Sequence, residues 1–125
     1  MAIHAYNESY LNRAMKNLGN LFEFAICHAH YHPETVFDLF ISSGIAAHFE
    51  SGNPKYIAGM SGHELFCEML IAAGKPLPPA SLQFFLDKTP EYWCGWILAY
   101  YQWFYNQKFK DIRDKIGRAS CRERV

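Results

Sequence analysis

The sequence carries no excess of charge of either sign: twelve lysines and arginines stand against twelve aspartates and glutamates. A basic stripe of the kind that tracks phosphates is missing, because only Lys108, Lys110 and Arg113 lie close together and Asp111 interrupts them. Nucleic acid is therefore disfavoured as a partner. Cysteine is scarce, four in all, and no two stand in a CxxC spacing, which excludes a disulfide or zinc-ribbon framework. The start of the chain holds Asn7, Glu8, Asn12 and Arg13 where a signal peptide would need an apolar core. The most apolar run, Tyr92 to Tyr101, is about half of the ~20 residues that a membrane span requires. No repeats occur, and no motif calls for a cofactor. These absences point to a soluble, cytoplasmic domain with no membrane partner.

The tail needs separate treatment. The last ten residues, IGRASCRERV, match codon for codon a common sequencing adapter read in the frame that begins ATC GGA AGA GCG TCG TGT. Ten consecutive matches are hard to obtain by chance, and Lys115 fits the two preceding bases. We expect one domain over residues 1–114, with 115–125 a non-native tail and the natural chain continuing past it. Removing Lys115, Arg118, Arg122 and Arg124 leaves eight of the twelve basic residues; removing Glu123 leaves eleven of the twelve acidic ones, a net charge of minus three. Cys121 leaves as well, so three of four cysteines remain.

What is present is helical periodicity. Thr89 to Asn106, TPEYWCGWILAYYQWFYN, is the most aromatic stretch. Thr89 suits an N-cap, Pro90 the first helical position, and Glu91 the first turn. Trp93, Trp96, Ile97, Tyr100, Trp103 and Phe104 follow the i, i+3, i+4, i+7 rule, which predicts that they form the buried face of a central helix. Tyr92, Tyr101 and Tyr105 fall off that stripe.

From Asn7 to Ala29 a second stripe runs through Tyr10, Leu11, Ala14, Met15, Leu18, Leu21, Phe22, Ala25 and Ile26, with Asn7 or Ser9 as cap and Gly19 marking a close helix crossing. Pro33 starts PETVFDLFISSG, with Val36, Phe37, Phe40 and Ile41 inward and Gly44 as stop. The short IAAHFESG follows, and NPKYIAGMSG reads as a loop. Ser61 and Glu64 form a capping box for a helix that buries Leu65, Phe66, Met69, Leu70 and Ala73 and stops at Gly74. KPLPPAS is a stiff connector, and SLQFFLD is ambiguous between helix and extended strip. KFKDIRD begins a last helix with Phe109 and Ile112 inward. The expected fold is all-α: one small domain of five or six helices around residues 92 to 104, truncated at its C-terminus, with the N-terminal helix as principal partner.

Three blocks, YLNRAMKNLGNLFEFAI, DLFISSGIAAHFESGNPKYIAGMSG and PEYWCGWILAYYQW, together resemble a family of small uncharacterised proteins from gut bacteria. The resemblance covers most of Tyr10 to Asp114. It implies a gene neighbourhood with ADP-ribosyltransferase-like toxin domains and small partner proteins, and a further helical segment after FKDI. It carries over no catalytic residue.

Candidate sites are few. Cys27, His28, His30 and His32 are the most metal-like cluster, but only His28 and His32 share an i, i+4 face; a zinc site needs three or four ligands, so a polar turn is the simpler reading and no metal is assigned. His63-Glu64 with Cys67 partly matches the zincin pattern without its second histidine, and the capping box already explains Glu64. Cys94, between Trp93 and Gly95, reads as a buried inert thiol. A better ligand candidate joins Lys55, Tyr56, Ser61, Gly62 and His63, where a Gly-rich turn opens a helix whose free N–H groups could hold an anion; a tight, well-capped connection is the plain alternative. The aromatic surplus of the central helix nominates Tyr92, Tyr101, Trp103 and Tyr105 as anchors for a protein partner, such as a neighbouring gene product. The expected function is thus a non-enzymatic protein-binding partner or regulator in a toxin–antitoxin-like cassette. The alternative is a small-ligand or anion-binding domain, enzymatic or not, centred on residues 53–63.

Overall fold

The segregation of apolar from polar side chains near the N-terminus produces the helix on which the other elements lean. The computed structural model describes residues 4–77 and 89–123, with side-chain surroundings through residue 116. A 3-10 turn, Glu8–Tyr10, is capped by Asn7, whose side chain accepts the Ser9 N–H at 2.9 Å. It leads into α1 (Leu11–Glu23), which buries Leu11, Ala14, Met15, Leu18, Leu21 and Phe22 and leaves Asn12, Arg13, Lys16 and Asn20 in water. The hydrogen bonding then widens to π form over Phe24–His28. Beyond it the Tyr31 N–H reaches the Ala25 carbonyl at 2.9 Å across His30, whose φ of 61° takes the left-handed place that glycine usually fills.

Pro33 opens α2 (Pro33–Ser42), and Gly44, at φ 89°, separates it from α3 (Ile45–Glu50). The expected loop NPKYIAGMSG instead contains a helical turn, α4 (Pro54–Ile57). Asn53 caps it by accepting the Lys55 N–H at 3.2 Å, Asn17 of α1 donates to the Ile57 carbonyl at 3.0 Å, and Ile57 is fully buried. The Asn-Pro pair that suggested a turn works here as cap and first helical residue. α5 (Gly62–Ala73) begins at the Ser61–Glu64 capping box and ends at Gly74, φ 70°. It buries Leu65, Phe66, Met69 and Leu70, but Ala73 is exposed with the rest of the last turn. SLQFFLD and most of KPLPPAS lie outside the described residues. α6 (Pro90–Tyr105) has Thr89 as cap and ends at Asn106, φ 52°; α7 (Phe109–Glu123) runs on across Lys115.

The fold is all-α, with seven α-helices and no strand among the described residues. The count exceeds five or six because α4 is a helix of its own. The centre is α1, which packs on α4, α5 and α6, rather than the aromatic helix α6, which leans almost wholly on α1. Around α2, α3 and α7 the rings of Phe40, Phe49 and Phe109 meet edge to face, at 4.9 Å for Phe40 with Phe109 and 5.5 Å for Phe40 with Phe49. The first-turn Phe109 N–H donates to Glu50 Oε2 at 2.6 Å, and Arg113 pairs with Asp38 at 3.0 Å, so α7 is held by α3 and α2. Among the described residues no helix is long and apolar enough to cross a membrane.

Candidate functional site

After Glu91 no charged residue appears in α6. A helix that is apolar all round has no polar side to turn outward, and its facing is then decided by fit. The face against α1 carries Tyr92, Gly95, Ala99, Gln102 and Trp103, all buried. A Cβ at Gly95 would overlap the Leu18 carbonyl oxygen, and one at Gly19 would stand 2.9 Å from the Tyr92 ring and carbonyl. The two backbones approach closely because both helices offer glycine, which bears out the close crossing expected at Gly19. The ends of the contact are pinned by polar bonds. Glu23 accepts the Thr89 N–H at 3.2 Å and its hydroxyl at 2.8 Å; the Trp103 indole N–H donates to the Tyr6 carbonyl at 2.7 Å, and His4 stacks on Trp103 at 3.9 Å.

The expected inner stripe is therefore the outer one, Trp103 and the half-buried Trp96 apart. Trp93 is 46 % exposed, Ile97 57 %, Tyr100 41 %, Phe104 38 % and Tyr105 56 %. Their rings form a ladder along the helix: Trp93 meets Trp96 edge-on at 5.7 Å, Trp96 and Tyr100 lie parallel at 6.4 Å, and Tyr100 and Phe104 stack at 5.8 Å. Of the residues nominated as anchors, Tyr92 and Trp103 are used inside the fold, Tyr101 is half-buried against the core, and Tyr105 stands in solvent. Burial, then the Glu23 charge, pushes the Tyr92 phenol above its ordinary range. Sequence reasoning missed Trp93, Ile97, Tyr100 and Phe104 as surface residues; the Gly95 to Ala99 spacing was the signal that could have found them, since small residues at i, i+4 mark the side that takes a close neighbour.

The third side of α6 borders a groove of about 690 Å³ between the end of α1, the starts of α2 and α6, and α7. Phe22, Ile26, Phe37, Ile97 and Leu98 make most of its apolar surface, with Cys94 among them and Ile116, from the stretch read as a non-native tail, on the α7 side; Glu34, Glu91 and Arg113 stand at polar positions. Cys94 is exposed, where a buried thiol was expected.

The residues of the alternative site do not converge. Tyr56 stacks on His48 at 4.0 Å, with the Lys55 ammonium 5.5 Å from the Tyr56 ring. Gly62 is pressed on the α1 backbone, and His63 packs edge-on against Phe24 at 4.5 Å, its Nε2 buried without a hydrogen-bond partner among the described residues. At the start of α5 Ser61 accepts the Glu64 N–H at 3.2 Å and Glu64 accepts the Ser61 N–H at 3.3 Å. The chain's own carboxylate thus sits where an incoming anion would bind, and like charge opposes a second one.

The histidine cluster is likewise spread out: His28 stacks on Phe24, His30 closes the π segment and His32 precedes α2 at the groove. Among the described residues no three His, Cys, Asp or Glu side chains gather as metal ligands. Burial, and next the charge of Glu91, raises the Cys27 thiol; burial, then Glu68 and Glu64, raises that of Cys67. Both are held as thiols, the unreactive form. Compared with known proteins, the chain matches no family model, no curated sequence and no solved structure.

Proposed function

We propose that the chain is a non-enzymatic protein-binding partner or regulator, an accessory in a toxin–antitoxin-like cassette, and that it binds through the outer face of α6. The observation that carries this reading is the continuous exposed row Trp93, Ile97, Tyr100, Phe104 and Tyr105. Monomeric proteins seldom leave large apolar side chains side by side in water, and tryptophan and tyrosine are enriched among binding anchors. The membership of a cassette rests on the resemblance alone.

The test is to purify the chain with each product of the two genes that flank its locus and to follow co-elution by size-exclusion chromatography. Co-elution with one product, lost on Ile97→Glu while the circular dichroism is unchanged, is the expected result. A chain that associates with neither product nor with itself contradicts the proposal.

A further inference from the structure

The exposed row of α6 is a ridge, and the groove lies directly beside it. Ile97 belongs to both, exposed on the ridge and lining the groove. At about 690 Å³ the groove is of the size that receives a drug-sized body, and a few ring side chains projecting from a helix make such a body. Charge decides which helix that could be. Glu34 and Glu91 sit in the first turns of α2 and α6, where the helix dipoles already offset them, and Arg113 is paired with Asp38. The groove therefore has little uncompensated charge with which to select a highly charged partner. It suits an uncharged ridge of rings, and the chain itself carries one: from Tyr92 to Gln107 there is no charged residue.

Resting on the reading of α6 as a binding face, we infer that this surface takes a second copy of the same chain, the ridge of each protomer lying in the groove of the other about a two-fold axis. A two-fold contact needs a self-complementary patch, which a ridge beside a matching groove provides. With the axis crossing α6 between Ile97 and Tyr100, Trp93 of one protomer approaches Phe104 of its partner. Glu91 then comes toward the end of the partner helix, where exposed Lys108 and Lys110 follow, so opposite charges meet at both rims. The four exposed rings offer roughly 350 Å² per copy, taking about 200 Å² for each whole side chain. With the groove wall added, the contact stays below the ~800 Å² per partner of a standard-size interface, so the dimer is a weak one that forms as the chain is concentrated.

Sedimentation equilibrium on the full chain tests this. The expected result is a dimer that Trp93→Glu and Ile97→Glu each weaken about tenfold or more, the effect of losing an anchor, with far-UV circular dichroism unchanged. Ile97→Ser, which places no charge on the helix, gives the same answer should the glutamate variants fold poorly. A wild-type chain that stays monomeric at several hundred micromolar overturns the inference, as does a dimer indifferent to all three substitutions. A monomer that still co-elutes with a flanking gene product removes the dimer alone; one that binds nothing removes the binding face with it.

Discussion

Helices α1 and α6 lie against each other and reach their shared contact by opposite means. In α1 the large apolar residues occupy one side and Asn12, Arg13, Lys16 and Asn20 the other, so solvation alone turns the helix. In α6 every side is apolar, and the side that wins the interior is the one with the smallest residues, Gly95 and Ala99, because only it admits the α1 backbone. Hydrophobicity thus orients a helix only where a polar side competes for water. Elsewhere steric fit orients it: the small residues mark the tightest point, Tyr92 and Trp103 pack at the ends of the contact, and the other large side chains are left outside or half-buried.

The strongest way to break this contrast is to add bulk at its tightest point. Gly95→Leu drives a side chain into the Leu18 carbonyl and should cost ~3 kcal/mol or more in urea denaturation, enough to unfold a small domain. Next in size is the pair of tryptophans on either side of α6. Trp103→Ala removes a buried ring and leaves the Tyr6 carbonyl without its donor, a loss of about 3–5 kcal/mol, whereas Trp93→Ala in dilute, monomeric solution should cost under ~1 kcal/mol. Equal losses for the two would end the distinction between the faces.

Hydrogen bonds at the helix ends give a smaller effect. Glu50→Ala takes the carboxylate from the Phe109 N–H and should lower stability by ~1–2 kcal/mol, loosening α7 first, which amide hydrogen exchange over 109–116 would register. The smallest effect is alkaline. Burial holds the Tyr6 and Tyr92 phenols above their ordinary value of 10.0. The unfolded chain therefore releases those protons first, so the stability they contribute is whole below about pH 10 and falls as pH rises toward the folded values. Tyr6→Phe should flatten that fall without destabilising the chain at neutral pH, since the Tyr6 hydroxyl is buried with no partner among the described residues. A melting temperature that drops with pH as steeply as in the wild type would refute this account of Tyr6.

Where local chemistry decides, the sequence was readable. The α1 stripe, the Ser61–Glu64 box, the Thr89 cap, the stops at Gly44 and Gly74, and the inward Phe109 and Ile112 all depend on a few adjacent residues and all stand in the structure. The facing of α6 was not readable from periodicity, because a period needs contrast and α6 has none. The turn Pro54–Ile57 was hidden because an Asn-Pro pair opens a turn and caps a helix alike, and the bond that ties it to α1, from Asn17 to the Ile57 carbonyl, comes from far along the chain. Of the candidate anchors, the choice of helix was legible and the choice of face was not. Tyr105 is exposed as a surface anchor must be; Tyr92, off the stripe, was placed outside because the stripe had been assigned inside, and Trp103, a stripe residue also nominated as an anchor, is buried as the stripe assignment had it.

The most direct measurement is iodide quenching of two single-tryptophan variants in dilute solution, one keeping only Trp93 and the other only Trp103, the remaining tryptophans replaced by phenylalanine. Trp93 should be quenched readily with red-shifted emission and become shielded as the protein is concentrated into its dimer, while Trp103 stays shielded throughout. Trp103 quenched as readily as Trp93, or Trp93 shielded at every dilution, would show that α6 is turned the other way and would contradict the account.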